Sequence, residues 1–223
     1  MYTIMCDHFL GIERATFDRD LSEKDWVVHM DDDLGQLQGF TTLKLLRHRE
    51  GDRTYLGFYS GDTVLAPEFL SDSQWLSTWS RFVFAEAARH PEARAYWVLL
   101  TATHRTYRIM TSSFKVAYPD PFRPGTDDER RLLDAFVRQK FPDEYDAAAG
   151  VVVPAHPTPY RHAEDVEAAG GGHNRYNQFF RERNPGYLRG NFLCCLTEIA
   201  PENTTPLGRR VLAANKDADD VAQ

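Results

Sequence analysis

Tyr55–Phe69 reads YLGFYSGDTVLAPEF, and the fold turns on how that stretch is interpreted. An apolar strand runs into Ser60-Gly61-Asp62, continues through Thr63-Val64-Leu65 and stops at Ala66-Pro67-Glu68. A glycine inside a strand weakens it and marks either a bulge or the close approach of another backbone. An amphipathic helix follows at once. Strand, interior glycine and helix N-terminus, in that order, can open a sheet to a thioester or a phosphate-bearing ligand. The same residues also suit a plain core strand with an ordinary turn after it.

Towards the N-terminus, Trp26–Met30 predicts a strand and Asp31–Gly35 a turn. A strand over Leu37–Arg47 and a turn at His48–Asp52 then lead into the quoted stretch. These three strands predict an antiparallel meander, and Tyr2–Met5 reads as a further short strand. In the other direction, Ser71, Asp72 or Ser73 supplies a helix cap. Trp75, Trp79, Val83 and Ala87 then recur at four-residue spacing, as a core stripe does. Ala95–Thr101, AYWVLLT, is continuously apolar and so reads as a central strand buried on both faces. A right-handed helical crossover places it parallel to and beside Tyr55–Leu65.

A helix over His104–Phe114 and a strand at Lys115–Tyr118 follow. Pro119–Gly125, with three prolines, marks the edge of a core spanning residues 1–120. Residues 121–223 read as an extension packed on that core. In it, Asp127 or Asp128 caps a helix over Glu129–Lys140, a second helix covers Asn174–Arg183, and a last strand covers Phe192–Thr197. Pro154–Gly172 reads as a lid or a surface connection, and the tail after about residue 211 as frayed.

The net charge of −7 argues against general nucleic-acid binding, which needs a basic face. No apolar run approaches the roughly 20 residues that cross a bilayer. The start lacks a basic leader segment, so the expected location is cytoplasmic. Cys6, Cys194 and Cys195 make no disulfide framework and read as reduced, buried thiols. His156, His162 and His173 lack metal-ligand spacing, so no metal is expected. Gly170-Gly171-Gly172 has neither the strand nor the Lys-Ser/Thr of a phosphate loop.

The order of three strands, helix, strand, helix, strand over about residues 1–120 resembles the GNAT acyltransferase fold. That fold is an α+β architecture with a mixed, mostly antiparallel sheet and flanking helices. GFTTLKLL (Gly39–Leu46) and the quoted stretch look like its central strands, and AYWVLLTATHRTYRIMTSSFKVAYP like its later strand, short helix and closing strand. Ser60-Gly61-Asp62-Thr63, Thr106-Tyr107-Arg108 and Asn184-Pro185-Gly186 are similar to motifs of an uncharacterised bacterial GNAT-like group. The resemblance implies that a pantetheine arm lies in a gap between Tyr59–Leu65 and Trp97–Thr101. Amide N–H groups near Ser60–Asp62 would polarise the thioester carbonyl there.

On that resemblance, Asp62 is the candidate base and Tyr107 the candidate acid, with His104 a third titratable candidate. Ser60, Gly61, Thr63 and Thr101 would line the gap. Arg105 and Arg108, with His104, Lys115, Arg81 and Arg89, would form a basic patch for an acidic carrier protein. Plainer readings stand beside these: a structural carboxylate, a core tyrosine with a bonded hydroxyl, a hydrogen-bonding histidine and a solvated charged face. The chain departs from the family at Glu68–Gln74, which has no glycine and no basic residue to cradle the coenzyme A diphosphate. Only the helix N-terminus offers an anion some dipole there. The expected donor is therefore a phosphopantetheine thioester on an acyl or peptidyl carrier protein, or else acyl-coenzyme A. The expected acceptor is a small amine or amino acid. The alternative is a non-catalytic binding protein on the same fold.

Overall fold

The expected meander forms from β1 (Trp26–Asp31), β2 (Leu37–Glu50) and β3 (Arg53–Leu65), paired antiparallel. The computed structural model describes residues 1–66, 74–162 and 174–213. Gly51 takes a φ of 58° in the tight link from β2 to β3, a backbone that side chains with a Cβ avoid. Helix α3 (Gln74–Ala88) then leads to β4 (Ala93–Thr101), which lies parallel to β3.

Beyond β4 the sheet is completed by β5 (Tyr145–Asp146), β6 (Val151–Val152) and β7 (Phe192–Glu198). The spatial order is β1-β2-β3-β4-β7-β6-β5, with β3–β4 the parallel pair in an otherwise antiparallel sheet. The fold is thus α+β with a mixed, mostly antiparallel sheet. That sheet crosses the expected core edge at residue 120, because β7 supplies the neighbour that β4 needs on its far side.

Both faces of β4 are covered, which is why its sequence does not alternate. Trp97 and Leu99 point to one side, with Trp79 and Val83 of α3 and Tyr107 and Met110 of α4 (His104–Ser113). Val98 and Leu100 point to the other, with Leu133, Phe136 and Val137 of α5 (Asp127–Lys140) and with Cys194. The rings of Trp79 and Trp97 lie 4.4 Å apart, so the tryptophan stripe of α3 is core. Cys194 and Cys195 are buried free thiols, and burial raises both well above the usual thiol range.

Several local expectations change. Tyr2–His8 is helix α1, not a strand, and it buries Met5 against Phe17, Phe40 and Val64. A second helix, α2 (Arg14–Ser22), supplies Phe17 to that cluster. The strand expected at Lys115–Tyr118 is replaced by single bridges, Phe114 to Thr204 and Tyr118 to Leu196. Thr126, not Asp127 or Asp128, caps α5, in a reciprocal capping box with Glu129. Helix α6 (Arg175–Arg183) carries the cap Asn174, and α7 (Pro206–Ala213) follows β7. The proposed caps Ser71, Asp72 and Ser73, the segment Glu68–Ser73, Gly170–Gly172, His173 and the tail from residue 214 lie outside the described residues.

Candidate functional site

The parallel ladder runs from Thr54 opposite Ala93 to Ser60 opposite Leu99, and there it ends. Both strands continue, β3 to Leu65 and β4 to Thr101, without pairing to each other. At the same place β3 bulges. On β2, Thr41 lies opposite Thr63 and Leu43 opposite Ser60, so Gly61 and Asp62 together face Thr42 alone. The glycine in the quoted stretch therefore marks a bulge, and a bulge turns side chains out of the ladder's alternation.

A close approach explains why glycine occupies position 61. A Cβ there would lie 2.7 Å from Thr42 Oγ1 and 2.8 Å from Lys24 Nζ. Lys24 follows α2 and leads into β1, so the chain's turn carries its side chain beneath the bulge. The side chain is only 2% exposed. Its ammonium donates to Asp20 Oδ2 at 2.6 Å, stands 3.9 Å from Asp62 Oδ2, and lies 5.5 Å from the centre of the Tyr59 ring. From α5, Lys140 donates to Asp20 Oδ1 at 2.9 Å and also to Glu23. Thr42 is fully buried, and its hydroxyl has no partner among the described residues.

These contacts separate the two aspartates. Burial pushes Asp20 up, but Lys24 and Lys140 outweigh it and hold that carboxyl below its usual range. Asp62 moves the other way: burial raises it, Lys24 opposes the rise, and the Asp20 charge adds to it. Lys140 is lowered by burial but more strongly raised by Glu23 and Asp20, so it stays charged. Burial, aided by Asp62, keeps the Tyr59 hydroxyl protonated.

The remaining candidates are distributed differently. Ser60 accepts from Trp97 Nε1 at 2.9 Å, and Thr63 shares a 2.7 Å hydrogen bond with Thr41. Thr101 Oγ1 accepts from the Thr103 amide at 3.0 Å and closes the turn into α4. The Tyr107 hydroxyl is buried and donates to Pro119 O at 2.8 Å, and burial raises it far above neutrality. This is the geometry of a core tyrosine with a bonded hydroxyl. His104 is 2% exposed and packs on Phe180. Both stand in the aromatic cluster of α4 and α6, apart from the one that holds Tyr59. Arg105 and Arg108 are half-buried, with Arg108 4.8 Å over the Tyr176 ring.

The structure thus brings Ser60, Gly61, Asp62 and Thr63 together, and adds Asp20, Lys24, Thr42 and Lys140, which sequence reasoning did not single out. Asp20 and Lys24 are spaced i,i+4, but that spacing alone reads as an ordinary helix-surface pair. A cavity of about 630 Å³ lies at the opposite end of the β3–β4 ladder, lined by Tyr55, Tyr96, Arg94, Arg123, Glu129 and Glu198. Among the described residues, no group of three or more His, Cys, Asp or Glu is placed to hold a metal ion, and no helix is long and apolar enough to cross a membrane.

No protein-family model matches the chain, and no curated protein matches it. Among solved structures it is similar to a mutant AtaT toxin bound to the C-terminus of the antitoxin AtaR and acetyl-CoA. The identity is 10% and the TM-score 0.28, over 34% of this chain and 49% of that one. The match spans about half the length of the toxin chain, and a likeness of that extent bears on neither activity nor ligand.

Proposed function

We propose that this protein is a GNAT-like N-acyltransferase that moves an acyl group from a pantetheine thioester to a small amine. One observation carries the reading: a helix-linked parallel strand pair whose ladder stops at Ser60–Leu99, with a bulge at that point. Past it, the facing edges of the two strands no longer bond each other, so their peptide groups suit a slender, amide-bearing arm. Asp62 stands in the bulge at that opening, where a proton carrier for the amine and the leaving sulfur is needed. Tyr107 serves as the acid only if its hydroxyl leaves the Pro119 carbonyl.

The shared ligand chemistry is the pantetheine thioester, from coenzyme A or from a carrier protein. Arg105 and Arg108, both half-buried, are the basic residues an acidic carrier protein would meet, and the buried free thiols of Cys194 and Cys195 suit a reducing cytoplasm. A second reading, a ligand-binding protein on the same fold, is favoured by the hydrogen bonds that already engage Ser60, Thr63, Thr101 and Tyr107.

The test incubates the protein with acyl-coenzyme A and, separately, with an acylated carrier protein across a panel of amines, and follows thiol release. Release in one arm names the donor. No release in either arm ends the catalytic reading and leaves the binding one.

A further inference from the structure

We propose that Asp20 and Asp62 act as one proton-holding pair where β3 leaves β4, with Lys24 and Lys140 as positioning residues that assign the proton to Asp62. The argument begins with a count of charges. Asp20, Glu23 and Asp62 meet Lys24 and Lys140, so the cluster has one carboxylate more than it has ammonium groups. Lys44 donates to the Glu23 backbone carbonyl rather than to a carboxylate; its charge acts on Glu23, behind Lys140, and Asp62 is left without a hydrogen-bonded ammonium among the described residues. Tyr59 and Cys194 stay neutral, so neither adds to the excess.

Geometry then decides which carboxylate is the odd one. Asp20 accepts from both lysines, at 2.6 and 2.9 Å, and Glu23 accepts from Lys140. Among the described residues, the one ammonium near Asp62 is that of Lys24 at 3.9 Å, longer than a hydrogen bond. Two carboxyl groups sharing one site cannot both ionise without penalty, and the proton settles on the one with weaker cationic support. The directions found for the two groups, Asp20 lowered and Asp62 raised, agree.

A second, independent feature points a ligand at the same place. Thr42 carries a buried hydroxyl with no partner among the described residues, directed at the Gly61 backbone beside Lys24. A buried polar group left unpaired is costly, and an incoming acyl oxygen would satisfy this one. The use of the pair in catalysis rests on the acyl-transfer reading. As the nitrogen–carbon bond forms and the carbon–sulfur bond breaks, Asp62 gives its proton to the departing sulfur. It then regains one from the amine nitrogen, so protons balance over the turnover.

The pair itself is tested without substrate, by thermal unfolding against pH. Asp62 is raised from 3.8, so the stability of its protonated form is full in acid and is lost as pH rises through the folded value. Asp62→Asn cannot ionise, so its melting temperature should gain on the wild type by about 2–4 °C between about pH 4 and pH 8. Asp20 is lowered from 3.8, so its contribution is present above that value and is lost as pH falls. Asp20→Asn should therefore lose ground as pH rises towards about 4, below the window in which Asp62→Asn gains. Lys24→Met should narrow the gap between the two trends, and Lys24→Arg should restore it.

Trends of the same sign, or flat ones, overturn the pair. Should Asp20→Asn not fold, infrared spectra titrated upward from about pH 4 read the same claim, since the protonated Asp62 carboxyl should outlast an ordinary one. They should show a protonated-carboxyl band that Asp62→Asn removes, and its absence from the wild type overturns the proposal. Opposite trends without thiol release would retire acyl transfer and keep the pair. Thiol release with like trends would do the reverse.

Discussion

The two ends of the β3–β4 ladder hold charge in opposite ways. At the start, three arginines close on carboxylates: Arg94 on Glu198 at 2.9 and 2.8 Å, Arg123 on Glu129 at 2.8 and 2.7 Å, and Arg131 on Glu50 at 2.9 and 3.2 Å. At the far end, past Ser60, two lysines serve three carboxylates, and a buried threonine hydroxyl stands unpaired. A closed ion pair at the surface has little left to do, since water and side-chain entropy offset most of its Coulomb energy. At the bulge Lys24 is 2% exposed while Asp20 and Asp62 keep 32% and 30%, so the odd charge there is only partly screened and favours uptake of a proton. The two ends thus differ in charge balance, and the cavity of about 630 Å³ lies at the balanced one.

The contrast breaks first at Lys24. Its side chain is 2% exposed, and removing one partner of a buried pair leaves charge uncompensated, so Lys24→Met should cost about 3 kcal/mol. Urea unfolding measures this, and a loss under about 1 kcal/mol would place the cluster among ordinary surface pairs. Arg94→Gln tests the balanced end. Its side chain is 55% exposed, so the expected cost is at most about 1 kcal/mol, with any thiol-release activity retained. Thr42→Val has the smallest expected effect on stability. It trades an unpaired hydroxyl for a methyl of similar shape, so the melting temperature should hold or rise slightly. If that hydroxyl meets the acyl group, turnover falls while stability does not, and unchanged turnover would detach Thr42 from the site.

Much of the architecture was legible because it follows from local periodicity. The unbroken apolar run AYWVLLT required cover on both faces, and α4 and α5 supply it. Gly61 within a strand announced a bulge or a close approach, and the structure has a bulge with Thr42 and Lys24 close against it. Tyr2–His8 misled because its apolar and β-branched residues suit a strand, while burial of Met5 against Phe17, Phe40 and Val64 makes it a helix. Tyr107 and His104 read as candidates for chemistry by their place after β4. Only packing revealed that the first is bonded to Pro119 and the second lies under Phe180.

By itself the sequence determined most of the strands and helices and the parallel crossover, and it marked Gly61 as a special position, because each depends on side-chain spacing along a few consecutive residues. Tertiary structure alone decided that Lys24, Thr42, Asp62 and Lys140 meet around Asp20. They come from separate elements, and a charge is placed by what surrounds it rather than by what precedes it in the chain.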